Sequence, residues 1–133
     1  MSLSVRIWCL LHLVYVSRRL IPFHRVLRAT LEMSSVPVPD PDRLYPEPER
    51  ILAAVDAAAA RALRPMKCLE RSLVLVWCLR RKGLAAELEI GFKRTEGGVA
   101  GHAWVVLDGQ AWGEREGVED DYVPMLLADG ANA

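Results

Sequence analysis

Lys67-Cys68-Leu69-Glu70-Arg71-Ser72-Leu73-Val74-Leu75-Val76-Trp77-Cys78-Leu79-Arg80-Arg81-Lys82-Gly83 reads as one helix with a cysteine in its first turn. Pro65 stands just before it, and Gly83 stands where a helix ends on a residue at positive φ. Arg80, Arg81 and Lys82 fill the last turn, where cations suit the carbonyl end of the helix dipole. Leu69, Leu73, Val76 and Leu79 recur at helical spacing, with Ser72, Leu75 and Trp77 beside them. So apolar a helix is expected to be the central, buried one. Cys68 then lies at its positive end, where the dipole and the unpaired N–H groups favour thiolate over thiol.

Ahead of this helix, Pro48 and Glu49 open another, carried through Ile51, Leu52, Val55, Ala59 and Leu63 and rich in alanine. Residues 35–48 hold five of the eight prolines and read as an extended connector. Residues 1–34 read as an amphipathic helical arm, broken near Pro22. Its apolar run Ile7 to Val16 is too short to span a bilayer, and Ser17-Arg18-Arg19 is a poor signal-peptide cleavage site. A helix packed on the core is expected there rather than membrane contact, with His12 and His24 as helix-face residues.

Beyond Gly83 the period changes. Leu84, Ala86, Leu88, Ile90 and Phe92 alternate with more polar neighbours, the pattern of a strand with one buried face. Thr95 to Gly98 reads as a loop, Gly101 to Leu107 as a second strand and Gln110 to Glu114 as a third, with Asp108-Gly109 turning the chain between them. Past Glu114 the chain is acidic and turn-rich, with a short apolar patch at Val123 to Leu127 and a frayed tail from Asp129 to Ala133. At 133 residues, half of them hydrophobic, the chain is expected to be one domain, with residues 49–133 as its core unit. Its 17 basic and 17 acidic residues cancel, which gives no support for a nucleic-acid binder. Cys9, Cys68 and Cys78 are an odd number at no metal-like spacing. They suggest a reducing cytoplasm rather than a disulfide framework, and no zinc or other cofactor is expected.

The turn at Asp108-Gly109 decides what faces His102. A two-residue turn pairs Leu107 with Gln110 and puts Glu114 on the face opposite His102. A three-residue loop with Gly109 left-handed pairs Trp104 with Trp112 and His102 with Glu114, and is the expected register. The chemistry is then a thiolate at a helix start, an imidazole on a strand and a carboxylate on the next. Cys68 attacks a carbonyl, His102 handles the proton, Glu114 orients the ring, and the Cys68 N–H is the first oxyanion donor. Asp108 is the fallback acid, although a turn-tip residue points to water. The residues alone leave a second reading open, in which Cys68 is structural and His102 is satisfied by a neighbour. Cys9 and Cys78 read as small core residues, and Trp77, Trp104 and Trp112 as core rather than substrate platform.

Cys68-Leu69-Glu70-Arg71-Ser72-Leu73, Arg80-Arg81-Lys82-Gly83, Ile90-Gly91 and His102-Ala103-Trp104-Val105 before Asp108-Gly109, in that order and spacing, resemble the lasso-peptide maturation protease. The resemblance covers about residues 50–114. It implies an α+β fold with a transglutaminase-like or papain-like core, in which a central cysteine-bearing helix packs on a small antiparallel sheet. It implies a Cys-His-Asp triad that removes the leader from a ribosomally made precursor, with Cys68 as nucleophile and His102 as base. A separate leader-recognition protein and an ATP-dependent lasso cyclase are the implied partners, and the chain looks like the stand-alone protease half. Gly113-Glu114 stands where the family carries Asp. The alternatives are a non-catalytic escort of the precursor with the same fold, and a transglutaminase-type acyl transferase.

Overall fold

The computed structural model describes residues 2–114 and 117–128. Helices come first: α1 (Leu3–Leu20), α2 (Phe23–Ser34), the short α3 (Pro41–Leu44), α4 (Pro48–Ala60) and α5 (Cys68–Lys82). Strands β1 (Ala86–Thr95), β2 (Gly98–Leu107) and β3 (Gln110–Trp112) come next, then a one-turn α6 (Val118–Asp121) and β4 (Val123–Ala128). The four strands form one antiparallel sheet in the order β3-β2-β1-β4. This is an α+β fold, as expected.

α5 is the centre. Ser72 to Val76, Cys78 and Leu79 are all buried, and the helix packs on α1, α2 and α4 on one side and on β1 and β2 on the other. Gly83 ends it at φ 105, with the Leu84 N–H reaching back to Leu79 O at 3.0 Å, the two features of a left-handed glycine cap. Residues 1–34 pack on the core, as expected. Ile7, Leu11, Val26, Leu27 and Leu31 belong to the same buried core as Leu73, Leu75 and Leu79. His12 ties α1 to the end of α4, its Nδ1 2.7 Å from Trp8 O and its Nε2 accepting from the Leu63 N–H at 3.1 Å. Taken together, those contacts fix the Nδ1–H tautomer. The connector also carries structure: Pro41 starts α3, Tyr45 is buried, and Lys82 donates to Asp42 Oδ1 and Tyr45 O. Cys9 is exposed, against the expectation of a core residue. α1 is apolar on most of its surface: Ile7 and Leu11 are its buried residues, and Leu3, Trp8, Leu10 and Val14 are partly buried against the same core.

The sheet has two different faces. Ala86, Leu88, Ala103 and Val105 join the main core under α5. Trp104, Val106 and Val118 form a second, smaller cluster, with Tyr122 packed against it. β1 and β2 are joined by a tight turn at Glu96-Gly97, with Thr95 paired to Gly98, so the expected loop is shorter than predicted. The β2–β3 register also differs from the expected one. Leu107 pairs with Gln110 and Val105 with Trp112, so Trp104 and Trp112 are not partners. The reason is local: Asp108 and Gly109 take φ 54 and 78, and two left-handed residues close a two-residue turn whose twist matches the strands. The apolar patch after Tyr122 is an edge strand, β4, paired with β1 through a bulge near Ile90/Gly91. Pro124 is tolerated there because an edge strand need not donate on both sides. The predicted frayed tail, 129–133, lies outside the described residues. Among the described residues no helix is long and apolar enough to cross a membrane.

Candidate active site

Cys68 is the first residue of α5, and Lys67 before it is extended and offers no side-chain cap. The first-turn N–H groups therefore have no intrahelical acceptor. Ser72, one turn further on, donates from Oγ to Ala103 O at 3.1 Å and is wholly buried. That bond clips the start of α5 to β2 next to His102. Cys68 is half-buried, and it borders an open, apolar cleft of about 300 Å³ with Leu69, Ile90, Phe92, His102 and Ala103. Phe23, at the start of α2, forms another wall of the same cleft.

His102 Nε2 lies 2.7 Å from Glu114 Oε1, both side chains largely sheltered from solvent. The register that was to deliver this contact is not the one the chain uses. β3 stops at Trp112, and Gly113 takes φ 74, which turns Glu114 back toward the imidazole. Asp108 sits exposed at the hairpin tip. With Nε2 donating to Glu114, the nitrogen left to take a proton is Nδ1.

Sequence reasoning missed the bed on which this ring lies. Tyr122 stacks on His102 with ring centroids 5.4 Å apart, and Trp104, fully buried, lies 5.8 Å away. Lys93 Nζ lies 4.9 Å from the centroid of the Tyr122 ring. Gly91 makes room for both aromatics, since a Cβ there would fall 2.7 Å from Tyr122 Cβ and 2.9 Å from Trp104 Cη2. Trp104 was visible as a core residue two positions from His102. Tyr122 had no signal, because it reaches the ring only through the pairing of β4 with β1.

The three predicted residues are brought together unequally. His102 and Glu114 are in direct contact. Cys68 and His102 border the same cleft, but no hydrogen bond joins the sulfur to the ring in this structure. Cys78 is a different kind of thiol: it is buried, and burial pushes it up to about 12 against a smaller opposing pull from Arg6. It is a core residue and not a nucleophile. Among the described residues no group of three or more His, Cys, Asp or Glu side chains converges as metal ligands would.

A family model described as the transglutaminase-like superfamily matches residues 9–127. No curated protein and no solved structure gives a significant match.

Proposed function

The chain belongs to the transglutaminase-like superfamily, and from that premise we propose that it is a cysteine endopeptidase that removes the leader from a lasso-peptide precursor. The observation that carries the reading is the His102–Glu114 pair, 2.7 Å across, at the rim of a cleft that also holds a cysteine at a helix start. The substrate assignment rests on the motif resemblance around Cys68 and His102.

In this mechanism the scissile carbonyl lies over Cys68 with its oxygen toward the Cys68 N–H. His102 Nδ1 takes the thiol proton, and Sγ attacks the carbonyl carbon. The C–N bond then breaks as the imidazolium returns that proton to the leaving amine, which leaves a thioester on Cys68. Water, deprotonated by His102, attacks the thioester, and the thiol is restored. Glu114 holds the Nε2–H throughout and so keeps the Nδ1 lone pair free to take the proton. The cleft walls Phe23, Leu69, Ile90 and Phe92 suit an apolar stretch of peptide. The sulfur and Nδ1 must close up when substrate fills the cleft, as catalytic hydrogen bonds commonly do.

A separate leader-recognition protein and the lasso cyclase are the proposed partners, in a reducing cytoplasm. Leu13, Val16, Leu20 and Ile21 form an exposed apolar row at the α1–α2 corner, which supports a partner surface there. The open Cys68–His102 geometry is what an escort without catalysis would rest on. One assay separates the readings: the chain, the leader-recognition protein and precursor are mixed and the products weighed by mass spectrometry. Wild type is expected to release a single leader fragment, Cys68→Ala none, and Glu114→Gln about 100-fold more slowly. Binding of precursor without any cut by wild type would leave the escort. Release of leader onto an added amine rather than water would point to acyl transfer.

A further inference from the structure

Arg71 lies one turn after Cys68 on α5, and its side chain is 22% exposed. Its Nε donates to Asp56 Oδ1 of α4 at 2.6 Å. Its Nη2 donates to Gly113 O at 3.4 Å. Gly113 is the residue directly before Glu114, in the left-handed conformation that turns the chain back to His102. That turn is also closely seated: a Cβ on Gly113 would meet Leu52 Cδ1 of α4 at 3.0 Å and Arg71 Nη2 at 3.7 Å. One planar guanidinium thus joins α4, α5 and the Glu114 turn. Asp56 fixes the fork, and a second edge is left for the carbonyl, which lysine's single ammonium cannot reproduce.

We propose that Arg71 is a positioning residue that acts through Glu114. By holding the Gly113 carbonyl it sets where the Glu114 carboxylate stands, and it does so from the helix that carries Cys68. The acid and the nucleophile are then aligned by a side chain three residues from Cys68, not only through the sheet. Among the atoms nearest the Gly113 Cβ position, the others are the Leu52 methyl groups, which offer no hydrogen bond. The inference rests on His102–Glu114 being the orienting pair of the site, whatever the substrate.

The plain alternative is that Arg71 only pairs with Asp56 to join two helices. Asp56 is half exposed, and such pairs contribute little to stability, so loss of Arg71 should leave the fold intact. The test uses the full chain labelled with ¹⁵N-histidine and tracks the downfield proton on His102 Nε2, which needs no substrate. Wild type should show it, and Glu114→Gln should lose it. Arg71→Met and Arg71→Lys should lose or broaden it while melting close to wild type. Arg71→Lys keeps a charge for Asp56 and is the variant to rely on should Arg71→Met fold poorly. A resonance unchanged in Arg71→Lys overturns the proposal, and so does its absence from wild type. Where cleavage is measurable, Arg71→Lys/Glu114→Gln should fall within about twofold of Glu114→Gln alone, because the two act in one chain of contacts. Multiplying losses would mean separate roles. A protein that cuts no precursor would end the peptidase reading and leave the resonance test standing.

Discussion

Three cysteines in this chain have three different surroundings, and surroundings set what each sulfur can do. Cys68 is half-buried at a helix start, Cys9 is exposed, and Cys78 is enclosed by core side chains. A short alkylation with subsequent peptide mapping should label Cys9 and Cys68 and spare Cys78. Cys78 also predicts a pH dependence. Its thiol is raised from 9.0 to about 12 in the folded chain, so between those values the unfolded chain has released a proton that the folded chain keeps. Unfolding is favoured as pH rises through that window, by up to about 1.4 kcal/mol per pH unit. Below pH 9 the contribution is fully present. Urea melts from pH 8 to 11 should show this slope in wild type and a shallower one in Cys78→Ala. An equal slope in both would assign the alkaline loss to other groups. Cys78 was legible in the sequence because its neighbours on both helical flanks are apolar. Cys9 was not, since a helix apolar nearly all round does not say which side meets the core.

At the scale of elements, the close fit lies where β1 passes beneath the aromatic bed. Gly91→Ala would set a methyl group against Tyr122 and Trp104 at distances that force one of them to move. A loss of about 1–3 kcal/mol is expected from overpacking, with a loss of cleavage larger than the loss of folded protein, because both rings touch His102. Gly97→Ala, in the β1–β2 turn with open space around its Cβ position, should be close to neutral and serves as the control. Melting temperatures and cleavage rates measured on the two variants would check this. The helices were readable from spacing and caps, down to Pro48 and Gly83. The strands were readable by alternation, but their pairing was not. Register turned on whether Asp108 would accept a left-handed conformation, and a single aspartate before glycine permits either loop. Glu114 reached His102 all the same, through Gly113, which the expected register did not use. β4 was missed because Val-Pro-Met-Leu-Leu-Ala neither alternates nor avoids proline.

For the whole molecule, the question is what ties the first 34 residues to the rest. Glu70, buried in the first turn of α5, has Arg18 Nη1 of α1 2.8 Å from its Oε1. This ion pair joins the N-terminal helix to the helix of Cys68. Arg18→Met should cost about 3 kcal/mol by leaving a buried carboxyl without its cation, the low end for such pairs because Arg18 is still a quarter exposed. Arg18→Met/Glu70→Leu should regain most of it, since an apolar pair has no charge to desolvate. Chemical denaturation of the two variants checks this. If the double variant is as weak as the single, packing rather than charge is at stake. The helix-then-sheet plan could be read from the order of periodicities along the chain. That the first helices pack on the core was expected as well; the ion pair that joins them to α5 was not, because partners 52 residues apart in sequence leave no local pattern.

The path from β3 to β4 starts on one edge of the sheet and ends on the other. Glu114, hydrogen-bonded to His102, and Tyr122, stacked on it, both lie on that path. Its far end joins the sheet when β4 pairs with β1, a contact between distant parts of the chain. Cys68 and the β1–β2 hairpin need no such closure. During synthesis Cys68 would therefore be in place well before Glu114 and Tyr122 reach His102, and the proposed triad would stay incomplete until β4 has emerged and docked.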